Sequence, residues 1–179
     1  MKTIKKVLLN SLLLVLFVLI PACGFCFQNE PAGFRGIQWG TEISTLEHMV
    51  LVKEKPDNPI QQGLKMYYKK SEVMTKGRAT LNQVGYVFFK DKFISAQIST
   101  EGSSNWLGLK DDAFEIFGKG EQPDQSFEQY FWFGNKSNIK LNYNKETERG
   151  SLSMVATQYK SQYQDNMEQF KDIIGLYGR

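Results

Sequence analysis

The chain has 179 residues, 41% apolar and 13% aromatic, with a formal net charge of +3. The leader lysines Lys2, Lys5 and Lys6 supply all of that charge, so residues 28–179 set 19 of the 22 Lys+Arg against 19 Asp+Glu. A neutral body of this length is one domain with an apolar core and has no general electrostatic pull on nucleic acid or an anionic membrane, so neither is expected as a partner of the folded part.

Residues 1–27 read as an export leader. Lys2, Lys5 and Lys6 form a charged start, Leu12 to Ile20 is unbroken apolar sequence, and Pro21 is followed by the small residues Ala22, Cys23 and Gly24. The expected location is the periplasm. Three fates of the leader stay open. Ala22-x-Gly24 allows cleavage after Gly24, or a cut near Cys26 or Phe27. Leu19-Ile20-Pro21-Ala22-Cys23 resembles a bacterial lipobox, with Pro21 departing from it, which makes Cys23 a candidate lipidation site and a membrane tether. Val7 to Phe27 is long enough to stay as an anchor, although Asn10, Ser11 and Pro21 weaken it. Both cysteines, Cys23 and Cys26, lie here, so residues 28–179 hold no disulfide and no thiolate metal site.

Phe34, Ile37 and Trp39 follow a polar lead-in as core anchors. Thr41 is placed as the N-cap of a short helix to about Met49, with Ile43, Leu46 and Val50 at helical spacing. Lys53 to Gly63, with Pro56 and Pro59, reads as loop, and Leu64 to Lys70 as a strand. Ser71 to Ala79 reads as a polar turn. Val84–Lys90 and Phe93–Thr100 form a hairpin joined at Asp91-Lys92. Ser104 is the expected N-cap of a second helix, Asn105 to Phe117. Trp106, Leu109, Ala113, Ile116 and Phe117 lie on one side of it; Lys110, Asp111, Asp112 and Glu115 lie on the other. Strands follow at Gln129–Phe133, Asn138–Asn144 and Ser151–Thr157. A third helix is expected from Ser161, with a stripe of Tyr163, Met167, Phe170 and Ile174, ending at Gly175.

The order α-βββ-α-βββ-α implies an α+β fold: an antiparallel sheet with helices on one face. Thr41 and Ser104 lie about 60 residues apart, as do the strands that follow them, so residues 34–100 and 104–158 are candidate repeats of one α-βββ unit, with the C-terminal helix beyond them.

The octapeptide Phe34-Arg35-Gly36-Ile37-Gln38-Trp39-Gly40-Thr41, together with the hairpin pattern Tyr86-x-Phe88-x-x-Asp91-x-x-Ile94, carries a resemblance. It resembles small, uncharacterised exported proteins of Gram-negative bacteria with an FRGIxWG-type stretch soon after the signal peptide. The resemblance runs from the leader to about Thr100. It implies export and a compact α+β domain, and it implies no activity. In architecture, the helix-plus-hairpin duplication is also similar to the β-lactamase inhibitor protein fold and to small outer-membrane assembly lipoproteins of the SmpA/OmlA type. Similarity of fold carries no function, and no site residue is taken from either.

Chemistry is sparse. His48 is the only histidine, with no nucleophile pattern around it, and reads as a solvent-facing residue. Asp111, Asp112 and Glu115 read as the solvated side of an amphipathic helix. The glycines match neither a phosphate loop nor a dinucleotide fingerprint. No catalytic residue, metal site or cofactor is expected. The aromatics are concentrated in strands, where neighbours must point to opposite faces. One sheet face can therefore be an aromatic surface for an envelope protein or peptide, with Arg35, Trp39, Tyr68, Tyr130 and Trp132 as candidate contacts. The expectation is a non-enzymatic binding module of the periplasm. The alternatives are a structural lipoprotein tethered through Cys23, and a small-ligand carrier or hydrolase.

Overall fold

In a computed structural model of the chain, residues 27–54 and 63–159 are described. The strands are β1 (Gly33–Phe34), β2 (Ile37–Gln38), β3 (Met49–Glu54), β4 (Leu64–Lys69), β5 (Thr75–Lys76), β6 (Ala79–Thr80), β7 (Gln83–Phe89), β8 (Lys92–Glu101), β9 (Gln129–Phe133), β10 (Ser137–Asn144) and β11 (Arg149–Ala156). Among the described residues there is one α-helix, α1 (Ser103–Phe117), between β8 and β9. Seven strands form one antiparallel sheet in the order β3-β4-β7-β8-β11-β10-β9, and two small hairpins, β1–β2 and β5–β6, stand apart from it. The fold is α+β with an antiparallel sheet.

The β7–β8 hairpin sits near the middle of the sheet. Lys90 and Asp91 both take positive φ, 47° and 62°, the backbone of a two-residue turn whose twist matches the strands it joins. The turn lies one residue earlier than the sequence suggests. Ile94 is an extra residue in β8: Val87 pairs with Ser95 and Phe88 with Phe93, so a bulge sits between them. Beyond the bulge the alternation is regular, and Tyr86, Phe88, Phe93, Ala96 and Ile98 all join the main core.

Helix α1 closes that core. Trp106, Leu109, Ala113 and Phe117 are buried on its sheet side. Gly108 lets the helix approach the β5–β6 hairpin, because a Cβ there would stand 3.1 Å from the backbone of Arg78 and Ala79. The helix begins at Ser103 after Gly102, and no side chain caps it, whereas the sequence points to Ser104 as its cap. It stops at Gly118, at φ 77°, whose carbonyl accepts a 3.0 Å hydrogen bond from the Trp132 indole N–H.

The helix expected over Thr41–Met49 is not formed. Only Ile43–Thr45 makes a single 3-10 turn, and Met49–Glu54 is edge strand β3. Two causes are visible. Glu42 bridges to Lys92 of β8 and holds the chain extended at the start. His48 takes φ 63°, which ends any helix, and the Val50-Leu51-Val52 run that follows has strand-forming β-branched residues. Ile43, Leu46 and Met49 still pack on the main core. The third expected helix, from Ser161, lies outside the described residues, as do Cys23 and the leader to Cys26.

Candidate functional site

Strand β9 decides which of its aromatics point outward. Tyr130 pairs with Leu141 and Trp132 with Ile139, and all four belong to the core. Tyr130 and Trp132 meet Phe114 of α1 edge-on, at 5.0 and 6.0 Å between ring centroids. Both are buried. Period 2 then turns Phe131 and Phe133 to the other face, away from α1. Their rings stack at 6.0 Å with planes 2° apart, and Phe133 is 50% exposed. The Lys140 ammonium lies 5.8 Å from the Phe131 ring centre, directly across the strand pair. Beside this pair the outward face is polar: Asn142, Ser151, Ser99 and Gln83 line up across four strands, with Ser151 Oγ donating to Asn142 Oδ1 at 3.0 Å. The outer backbone edge of β9 is engaged, since Glu121 and Phe131 exchange two hydrogen bonds of 2.8 Å.

The five residues singled out from sequence are not brought together. Tyr68 is 44% exposed on β4, near the far edge of the sheet, about 24 Å from β9 by strand spacing. Trp39 packs on Phe93 at 4.9 Å and donates its indole N–H to the Pro31 carbonyl, so it is an anchor of the N-terminal segment. Arg35 sits in the tight β1–β2 turn at φ 49°. It donates to Glu72 Oε1 at 2.5 Å, to the Val73 carbonyl at 2.6 Å and to the Thr75 carbonyl at 2.8 Å.

Two polar clusters stitch the helix side together, and neither is legible as such in the sequence. Glu72 accepts hydrogen bonds from Arg35, from the Tyr86 hydroxyl and from the Val73 N–H. Burial pushes its pKa up, but the Tyr86 and Arg35 hydrogen bonds outweigh that and hold it below the usual carboxylate value. Burial and the adjacent Glu72 carboxylate push Tyr86 well above the ordinary phenol value. In the second cluster, Lys110 pairs with Glu128 Oε2 at 2.7 Å, and the Tyr130 hydroxyl donates to the same oxygen at 2.9 Å. The Lys110 ammonium lies 4.9 Å from the Tyr130 ring centre, 5.8 Å from Phe114 and 6.0 Å from Trp106. Burial opposes its charge, yet hydrogen bonds to Glu128 and Tyr130 raise its pKa, while that of Glu128 is lowered, chiefly by Lys110.

The helix carboxylates are less solvated than their pattern suggests. Asp111 pairs with Arg78, and Asp112 with Lys76 at 2.7 Å, so both hold the β5–β6 hairpin to α1. His48 is exposed, 3.8 Å from Glu47. Among the described residues no group of three or more His, Cys, Asp or Glu side chains is placed to hold a metal ion, and no helix is long and apolar enough to cross a membrane.

No protein-family model, curated protein or solved structure shows significant similarity to this chain.

Proposed function

We propose that this is an exported, non-enzymatic envelope module that holds a protein or peptide against the outward face of its sheet at the β9–β10 end. The observation behind the reading is the outward Phe131–Phe133 stack, half exposed on a rigid strand and flanked by a polar sheet face. Aromatic side chains held this way offer large contact area at small entropic cost, the usual make-up of a binding hot spot. Because Glu121 already bridges the β9 edge, a partner meets the face of the strand and does not add a strand beside it. The test is capture from envelope extract with wild type and with Phe131→Ala/Phe133→Ala, with Leu107→Ala on the exposed side of α1 as control.

In this reading the sheet is a duplicated three-strand unit. The meanders β4-β7-β8 and β9-β10-β11 meet where β8 pairs with β11, the arrangement an approximate two-fold would give. Among the described residues a full helix precedes only the second meander, and the C-terminal helix expected from Ser161 lies outside them.

The leader reading rests on residues 1–27. Phe27 meets Phe117 edge-on at 5.8 Å, and the side-chain amides of Gln28 and Asn29 donate to the carbonyls of Glu115 and Ile116. A cut after Phe27 would discard the first of these, so cleavage at or before Cys26 suits the fold better. Mass spectrometry of the mature chain is expected to find an unmodified N-terminus at Phe25, Cys26 or Phe27. A diacylated cysteine at position 23 would make the protein a tethered lipoprotein instead.

A further inference from the structure

Phe133 is the last residue of β9, and β9 is the outermost strand at its end of the sheet, a place where local opening costs little. The Glu121 bridge holds the edge at Phe131, two residues short of this end. The chain turns through Gly134 and re-enters the sheet at Ser137, the first residue of β10. Inside the hairpin, the Gly134 N–H donates to Asn138 Oδ1 at 3.2 Å. From beyond β11, the Thr157 N–H donates to the Lys136 carbonyl at 2.8 Å, and its hydroxyl donates to the Gly134 carbonyl at 3.2 Å. The N–H groups of Lys136 and Ser137 both donate to one oxygen, Glu30 Oε1, the second of them at 2.9 Å. Successive N–H groups turned the same way make a concavity for an anion, and a carboxylate is a strong acceptor for them. The fit is close, since a Cβ on Gly134 would run into that carboxylate.

Glu30 lies 106 and 107 positions from its two donors. It is held from both sides by contacts that do not involve the turn. Before it, the side-chain amides of Gln28 and Asn29 donate to the carbonyls of Glu115 and Ile116, at 3.2 and 2.7 Å. After it, Trp39 donates its indole N–H to the Pro31 carbonyl at 3.1 Å and its backbone N–H to the Ala32 carbonyl at 2.9 Å. Glu30 is therefore a fixed point, and the turn is fastened to it.

The structure assigns Glu30 as a positioning residue of the Phe131–Phe133 face: its carboxylate fastens the β9–β10 turn and so holds Phe133 in its stack on Phe131. The assignment rests on the reading of that stack as the binding face. A ring ordered before a partner arrives loses little freedom on binding, so the N-terminal segment sets how long a partner stays.

The test follows amide exchange by NMR in the full chain. In Glu30→Ala the Lys136 and Ser137 amides are expected to exchange about tenfold faster than in wild type, the loss of a hydrogen bond to a charged acceptor. Glu30→Gln keeps an acceptor oxygen at the same reach and is expected to restore most of the protection. Gln28→Ala removes a neighbouring anchor of the same segment and is expected to leave both amides unchanged. A 4-fluorophenylalanine label at position 133 reads the ring itself. Its resonance is expected to move in Glu30→Ala and to return in Glu30→Gln. Unchanged exchange in Glu30→Ala, or an equal rise in Gln28→Ala, would overturn the fastening. Faster exchange with an unmoved fluorine resonance would overturn the positioning. These readouts involve no partner. In envelope extract, a species lost with Phe131→Ala/Phe133→Ala is expected to leave Glu30→Ala several-fold faster than wild type. Release from Glu30→Ala at the wild-type rate would contradict the positioning and leave the binding face standing. Retention unaffected by Phe131→Ala/Phe133→Ala would remove the binding face and leave the fastening standing.

Discussion

Glu72 gathers the Arg35 guanidinium, the Tyr86 hydroxyl and the Val73 N–H on one carboxylate, and so ties the β1–β2 hairpin and the 71–76 segment to the middle of the sheet. Its pKa in the fold is below the ordinary 4.5, so the stability it contributes is fully present above that value. That stability is lost as pH falls through the lower folded value. Glu72→Gln keeps the shape and removes the charge. It is expected to cost about 1–3 kcal/mol near neutral pH, because hydrogen bonds to a charged acceptor are the strong ones. The fall in the urea midpoint of wild type between about pH 6 and about pH 3 should be smaller in the variant. Glu128, also lowered, keeps part of the acid sensitivity in both. None of this is written in local sequence. Arg35 and Glu72 are 37 positions apart, and only the fold shows that an arginine beside Trp39 serves the turn at Arg35-Gly36.

At the scale of elements, the join between helix and sheet is tight where β11 begins. A Cβ on Gly150 would stand 2.6 Å from Thr100 Oγ1 and 2.9 Å from the Trp106 ring, and Trp106 in turn stacks on Tyr143 at 5.0 Å. Gly150→Ala is therefore expected to lower stability by about 1–3 kcal/mol in chemical denaturation, through overpacking. The strongly patterned elements were legible in the sequence. The hairpin at 84–100, the strand at 129–133 and the helix face Trp106, Leu109, Ala113 and Phe117 need only periodicity. Residues 41–54 misled, because Ile43, Leu46 and Val50 fit a helical period while the segment obeys long-range pairing: Glu42 to Lys92, then β3 to β4. The two-residue strands β1, β2, β5 and β6 carry too few residues for any period to register. Period 2 puts aromatics on both faces of the sheet but does not say which of them stay exposed: Phe89 is buried on the outward side, whereas Phe133 is half exposed. Which of the two aromatic pairs in β9 faces α1 is set by the register with β10, and that register puts Tyr130 and Trp132 inside.

At the scale of the whole molecule, the described residues are built on a seven-stranded sheet with two unlike sides. One side is closed by α1, the N-terminal hairpin and the β5–β6 hairpin, and holds most of the aromatics. The other is apolar and buried at the β4–β8 end, and polar with an exposed phenylalanine stack at the β9 end. That asymmetry separates structural aromatics from those a partner could reach, and it makes the proposed function accessible to one comparison. Envelope extract is passed over wild type, Phe131→Ala/Phe133→Ala and Leu107→Ala, with matched unfolding midpoints confirming that all three are folded. The binding reading predicts that a species retained by wild type and Leu107→Ala is lost with Phe131→Ala/Phe133→Ala. Identical retention by all three proteins would contradict it.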